Sequence, residues 1–173
     1  MNTQSKYSNK GLHLLAESCS HREMSQCIEL IDHIIKQEKF KEKFTGFTFE
    51  EGIKMDEVIK MLAHKNRTDK KASVDIVIVT HKNFVTLVEA KFDVSDAKNI
   101  IHKEMNDKIR CTRSVLNDCD YSHNINRYTY VLLSNNHYEQ NVSRFRKKMS
   151  NDPKIKTWKV SDFLNFMKKD SNG

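Results

Sequence analysis

The sequence predicts an α/β domain in which a central mixed β-sheet carries helices on both faces. Three observations predict it. Residues 73–91 place two runs rich in Val, Ile, Thr and Phe on either side of the polar His81-Lys82-Asn83, the pattern of a β-hairpin. Two further strand-like runs, Arg127–Ser134 and Lys154–Val160, alternate with amphipathic helical segments. Finally, 173 residues with only 4 Gly and 1 Pro show no linker, repeat or low-complexity tract. One domain spanning 1–173 is expected, flexible at 1–10 and 169–173.

The elements follow in order. Residues 1–10 are polar, and Leu12–Ala16 adds a short helical turn. Ser20-His21-Arg22-Glu23 has capping-box form, and Met24, Cys27, Ile28, Ile31, Ile34 and Ile35 recur at helical spacing, predicting one helix to about Lys39. Phe44–Thr48 is aromatic and β-branched, compatible with a strand or with the approach to a helix. Thr48-Phe49-Glu50-Glu51 is a second capping box, and Met55, Val58, Ile59 and Leu62 give the next helix its stripe, ending near Asn66. After the hairpin, Asp93 or Ser95 can cap a long helix with Ala97, Ile101, Met105 and Ile109 four apart, continuing to about Asn117. A polar connection, Asp118–Asn126, leads to the strand at Arg127–Ser134. A helix at about His137–Ser150, a stop at Asp152-Pro153, the strand Lys154–Val160 and a closing helix Ser161–Lys168 complete the chain.

Composition narrows the function classes. Lys plus Arg number 30 against 23 Asp plus Glu, a net charge of +7, and the positive residues cluster at Lys65–Lys71 and Arg144–Lys148. A polyanion such as nucleic acid is therefore a reasonable partner. Cys19, Cys27, Cys111 and Cys119 lack the short spacing of a zinc site and read as free thiols in a reducing compartment. The N-terminus lacks a signal-peptide pattern and no segment is of transmembrane length, so a cytoplasmic protein without a membrane partner is expected.

Chemistry concentrates in the hairpin. In a strand, residues two apart share a face, so Glu89 and Lys91 point the same way on a run that otherwise reads as buried. An unpaired carboxylate there would cost several kcal/mol, so Glu89 needs partners. Asp75 of the preceding strand, Lys91 and a metal ion are the obvious ones. Carboxylates on adjacent strands can converge on a hard cation, and an ammonium beside it can hold a water or stabilise a phosphate transition state.

Asp75 early in one strand, Glu89-Ala90-Lys91 in the next, then a long helix and a further strand, resemble the PD-(D/E)xK nuclease superfamily, with its restriction-endonuclease-like core. The topology covers roughly residues 48–134, and the motif three residues. Val74 stands where the family often has Pro. The resemblance implies Asp75 and Glu89 as ligands of Mg²⁺ or Mn²⁺, with the backbone carbonyl of Ala90 completing the shell, and Lys91 as the catalytic lysine. Many members add an acid from a preceding helix. At 100° per residue, Glu51 lies four before Met55 and seven before Val58 and so points with their stripe, whereas Glu57 and Glu29 point away from theirs. Glu51 is therefore the expected fourth residue, with Glu23 in reserve, although both can serve only their capping boxes.

Lys98 and His102 occupy the region where such proteins often place a polar residue toward the phosphate, His102 reading more simply as solvated. With Arg144, Arg146, Lys147 and Lys148, Lys98 makes up the expected nucleic-acid-binding set. The function expected is metal-dependent hydrolysis of phosphodiester bonds, in DNA before RNA. The alternatives are a non-catalytic nucleic-acid-binding module and a protein-interaction module on the same scaffold. No helix-turn-helix or zinc finger supplies specificity, and cutting both strands of a duplex would most simply take a homodimer.

Overall fold

The computed structural model describes residues 8–42, 46–80, 83–92, 101–120 and 124–168. Their elements are α1 (Asn9–Ser18), α2 (Glu23–Gln26), β1 (Ile28–Leu30), α3 (Ile31–Gln37), β2 (Glu51–Lys54), α4 (Met55–Asn66), β3 (Ile76–Val79), β4 (Phe84–Lys91), α5 (His102–Asn117), β5 (Asn124–Leu133), α6 (Tyr138–Lys148), β6 (Ile155–Lys159) and α7 (Val160–Lys168). The six strands form one sheet in sequence order. β1 to β4 pair antiparallel, and β4, β5 and β6 are parallel. The parallel pairs are reached through α5 and α6, as parallel neighbours require a crossover. No described helix is long and apolar enough to cross a membrane.

Strand alternation divides the core between the two faces of the sheet. Val77, Val79, Val85 and Leu87 pack with Leu12 and Leu15 of α1, Val58 and Leu62 of α4 and Leu116 of α5. On the same face Val131 and Leu133 meet Met105 of α5 and Phe145 of α6. The opposite face presents Ile76, Ile78, Val88, Ala90 and Leu132 to Ile31, Ile34 and Ile35 of α3 and Phe163 and Met167 of α7. The sheet is thus covered by helices on both sides.

The first third of the chain corrects the sequence reading. The turn expected at Leu12–Ala16 is a full helix, α1, whose N-cap Ser8 accepts from the Gly11 amide. The helix expected from Ser20 to Lys39 is instead a turn of helix, a three-residue strand and α3. Its apolar stripe is divided, with Met24, Cys27 and Ile28 facing one core cluster and Ile31, Ile34 and Ile35 the other. The capping box at Thr48 does not start a helix either, because residues 51–54 are β2, held between β1 and β3. Gly52 is required there: a Cβ would lie 2.6 Å from Cγ2 of Ile76. Tertiary pairing overrides local propensity in segments this short.

Later elements lie within a few residues of their expected bounds, with two exceptions: α5 begins only at His102, leaving Ile101, expected in its stripe, extended and exposed before it, and β5 takes in Asn124–Asn126 of the polar connection. The His81-Lys82 turn, most of Phe44–Thr45 and the proposed caps Asp93 and Ser95 lie outside the described residues.

Cys19 and Cys119 are not free thiols. They face each other across an isolated antiparallel bridge and are joined as a disulfide between the end of α1 and the end of α5. Cys27 and Cys111 are free.

Candidate functional site

The β3–β4 hairpin pairs Ile76 with Val88, so Asp75, one residue before β3, lies opposite Glu89 on the same face. Two hydrogen bonds hold Asp75 and a third holds Val74 beside it. The Asp75 carbonyl accepts from Met55 N–H at 3.0 Å, its Oδ2 accepts from Ala90 N–H at 2.7 Å, and Thr112 Oγ1 of α5 accepts from Val74 N–H at 3.1 Å. Glu89 and Lys91 sit beside Val131 and Leu133 of β5, on the face covered by α5.

Glu89 is fully buried, and its Oε1 is shared by two ammoniums: Lys91 Nζ at 2.7 Å and Lys108 Nζ of α5 at 2.5 Å. Its Oε2 is buried with no partner among the described residues. Two cations thus neutralise one carboxylate oxygen while the other remains a vacant acceptor, an arrangement that costs free energy unless something else occupies it.

Glu38, the residue that caps the C-terminus of α3, also belongs to this electrostatic neighbourhood. Burial pushes its carboxyl up, with Lys91 opposing and Glu89 adding to the shift. Lys91 is held above its ordinary value: burial alone would lower it, but the carboxylates of Glu89 and Asp75 outweigh burial. For Asp75, burial first and then the charge of Glu89 push the pKa up to about 7, against the pull of Lys108 and Lys91. With a pKa of about 7, Asp75 is poised to keep a proton near neutral pH.

This has a measurable consequence. Unfolded Asp titrates near 4, so between pH of about 4 and 7 the folded protein holds a proton that the unfolded chain has released. Stability contributed by this group therefore falls as pH rises through that window and levels off above it, by up to roughly 4 kcal/mol. Asp75→Asn keeps the acceptor for Ala90 N–H and removes the charge. The variant should match wild type near pH 4 and be the more stable above pH 7 in EDTA. Denaturant unfolding of both proteins across that range checks it, and a variant less stable at pH 8 would make Asp75 a stabilising ion-pair partner instead.

The structure brings Asp75, Glu89, Ala90 and Lys91 together and separates the other expected residues from them. Glu51 is on a strand, so the helical angle that selected it does not apply. It begins β2 opposite Leu30 and pairs with His13 at 2.8 Å, whereas Asp75 bonds the residue after the other end of β2. Glu23 pairs with Lys65 at 2.8 Å. Lys98 lies outside the described residues. Arg144, Arg146, Lys147 and Lys148 are exposed on the last turns of α6. That helix runs from the C-terminal end of β5 back to the start of the parallel β6, so the cluster lies at the end of the sheet remote from Lys91. Positive charge there complements the helix dipole. His102 is not simply solvated, since its Nε2 meets Asp152 Oδ2 at 3.3 Å. The two site residues the sequence reading passed over are Lys108 and Glu38.

Among the described residues, no group of three or more His, Cys, Asp and Glu side chains could hold a metal ion together. A hard divalent cation bound by one or two carboxylates and otherwise by water needs no such group, and Mg²⁺ is bound in this way. The donors available, the vacant Oε2 of Glu89 and the carboxylate of Asp75, fit such an ion. The ion would also favour the ionised form of Asp75. No family model, no curated protein and no solved structure matches this chain.

Proposed function

We propose that the protein is a metal-dependent nuclease on a restriction-endonuclease-like core, hydrolysing phosphodiester bonds in nucleic acid, with DNA as the preferred class. One observation carries the reading: Asp75 and Glu89 face each other on neighbouring antiparallel strands, with two lysines on one oxygen of Glu89 and its other oxygen buried and vacant. The antiparallel β2–β3–β4 segment followed by α5 and the parallel β5 agrees with the topology that the motif implies.

In this reading Asp75 and Glu89, with the Ala90 carbonyl, would hold Mg²⁺ or Mn²⁺, which would supply Lewis-acid stabilisation of charge on the phosphate. Lys91 orients the attacking water, whose oxygen forms the new bond to phosphorus and gives up a proton to solvent while the bond to the leaving sugar oxygen breaks and that oxygen takes a proton from solvent. Lys108 adds a second ammonium facing the charge that grows on the non-bridging oxygens. Glu38 offsets the resulting excess of positive charge. Glu51 has no part in this arrangement.

The test is incubation of purified protein with single-stranded, duplex and branched DNA and with RNA, in Mg²⁺, Mn²⁺ or EDTA. Cleavage is expected with metal only and should be lost in Glu89→Gln. Absence of cleavage of all substrates with both metals would favour the second reading, a non-catalytic binding module. That reading is favoured by the direct Glu89–Lys91 and Glu89–Lys108 pairs, which are also what a structural ion cluster would show.

A further inference from the structure

Beside this site, at the C-terminal ends of β4 and β5, lies a cleft of about 240 Å³ lined by Lys39, Lys41, Glu42, Phe92, Ser134, Asn136 and His137. By strand alternation Phe92 and Ser134 lie on the α3 face, opposite that of Lys91 and Leu133, and the cleft joins the site around the strand ends, where Lys39 follows Glu38. Ligands of open α/β sheets bind outside the carboxyl ends of parallel strands, which is where this cleft sits.

The cleft is built rather than incidental. Glu42 reaches across it, its Oε2 accepting from Asn135 Nδ2 at 2.6 Å and its Oε1 from Asn135 N–H at 3.2 Å, so its carboxylate is used in tying the two walls together. Phe92 packs edge-on against Phe40 with ring centroids 4.8 Å apart and is buried as the floor. The left-handed residues in its walls are helix ends: Lys39, φ 67°, stops α3, with its N–H donating to the Lys36 carbonyl and Phe40 N–H to that of Ile35, and His137, φ 57°, precedes α6 as its cap. Lys39 and Lys41 are exposed and have no ion-pair partner among the described residues, whereas Lys36, one turn earlier, is paired with Asp32. Two lysines against the one carboxylate of Glu42 leave the cleft with net positive charge beside the proposed hydrolytic centre.

We infer that this cleft binds the phosphodiester backbone of one strand next to the bond being cut, with Lys39 and Lys41 on phosphate oxygens and His137 and Asn136 donating beside them. The inference rests on the nuclease reading and gives that site its substrate-holding surface, in place of the remote basic end of α6. The volume is below the roughly 300–1,000 Å³ of sites that enclose a drug-sized molecule. It suits one nucleotide of a single strand, not the width of a duplex.

The experiment measures fluorescence-anisotropy binding of a short labelled oligo(dT) in EDTA, as a function of salt. Wild type is compared with Lys39→Glu/Lys41→Glu and with Lys36→Glu/Lys60→Glu, which changes net charge equally on residues already paired elsewhere. The cleft variant should lose about tenfold or more in affinity, and its log–log salt slope should flatten by about 1.4, the value for two phosphates of a single strand. The control pair should keep the wild-type slope. Equal loss in both variants, or no loss in the cleft variant, overturns the cleft assignment and leaves the nuclease reading standing if wild type cleaves. Wild type that cuts duplex with metal yet does not bind oligo(dT) also overturns it. Wild type that neither binds nor cuts any nucleic acid removes both.

Discussion

Lys91→Ala is expected to slow phosphodiester cleavage by about 10²–10³-fold while leaving substrate affinity within about threefold, a loss of roughly 3–4 kcal/mol of transition-state stabilisation. The expectation follows from its place: Lys91 Nζ sits 2.7 Å from Glu89 Oε1 and is not itself a metal donor. Its ammonium gains most from interaction when charge develops on the phosphate, so its removal acts on kcat more than on binding. Lys108 remains on Glu89 in the variant, so the carboxylate is not left without a cation. Glu89→Gln makes the contrast. It leaves two lysine ammoniums converging on a neutral, fully buried amide, which costs on the order of 3–5 kcal/mol of stability, and under the proposed reading it would also remove stabilisation by metal. Single-turnover cleavage, with thermal melts in the presence and absence of Mn²⁺, separates the two variants. Cleavage that survives both substitutions would place the chemistry elsewhere in the protein.

Reduction of the Cys19–Cys119 disulfide should lower stability by about 4–5 kcal/mol, the loop-entropy value for a cross-link spanning 100 residues. Both sulfurs are buried and join the end of α1 to the end of α5. The reduced chain therefore regains freedom over a segment that contains the whole β1–β4 half of the sheet. Denaturant unfolding of the oxidised protein, the reduced protein and Cys19→Ser/Cys119→Ser measures the effect. The double variant and the reduced protein should agree. Identical stability of oxidised and reduced protein would show that the cross-link does not form in solution.

The sequence made the hairpin readable because both strands are long and β-branched, and because the charges within them have no place in a core without partners. The alternation of β5, α6, β6 and α7 was readable for the same reason of length. β1 and β2 were not, since three or four residues do not establish a period, and the isoleucines of β1 and α3 continue a helical spacing by coincidence. The overlooked site residues carried a signal. Glu38 lies seven residues after Ile31 and four after Ile34, and Lys108 lies three after Met105 and four before Thr112, both buried. Each is therefore a charged residue on an apolar stripe, which is where a helix turns charge inward. Thr112, fully buried and seven after Met105, shows the same pattern. The pairing of Cys19 with Cys119 had no such signal, because spacing does not determine connectivity.

Among the described residues the sheet has two edges, and the chain treats them differently. β1 presents only three residues, too short to serve as a template for another strand. β6 is longer and among the described residues pairs only with β5, but Pro153 and Lys154 precede it and lysines stand at 156 and 159 along it. Lysines along an edge make a second copy approach through like charge and discourage edge-to-edge growth. Self-association that extends the sheet is disfavoured at both ends, so a dimer of this chain, if it forms to cut two strands, would have to meet through its helices.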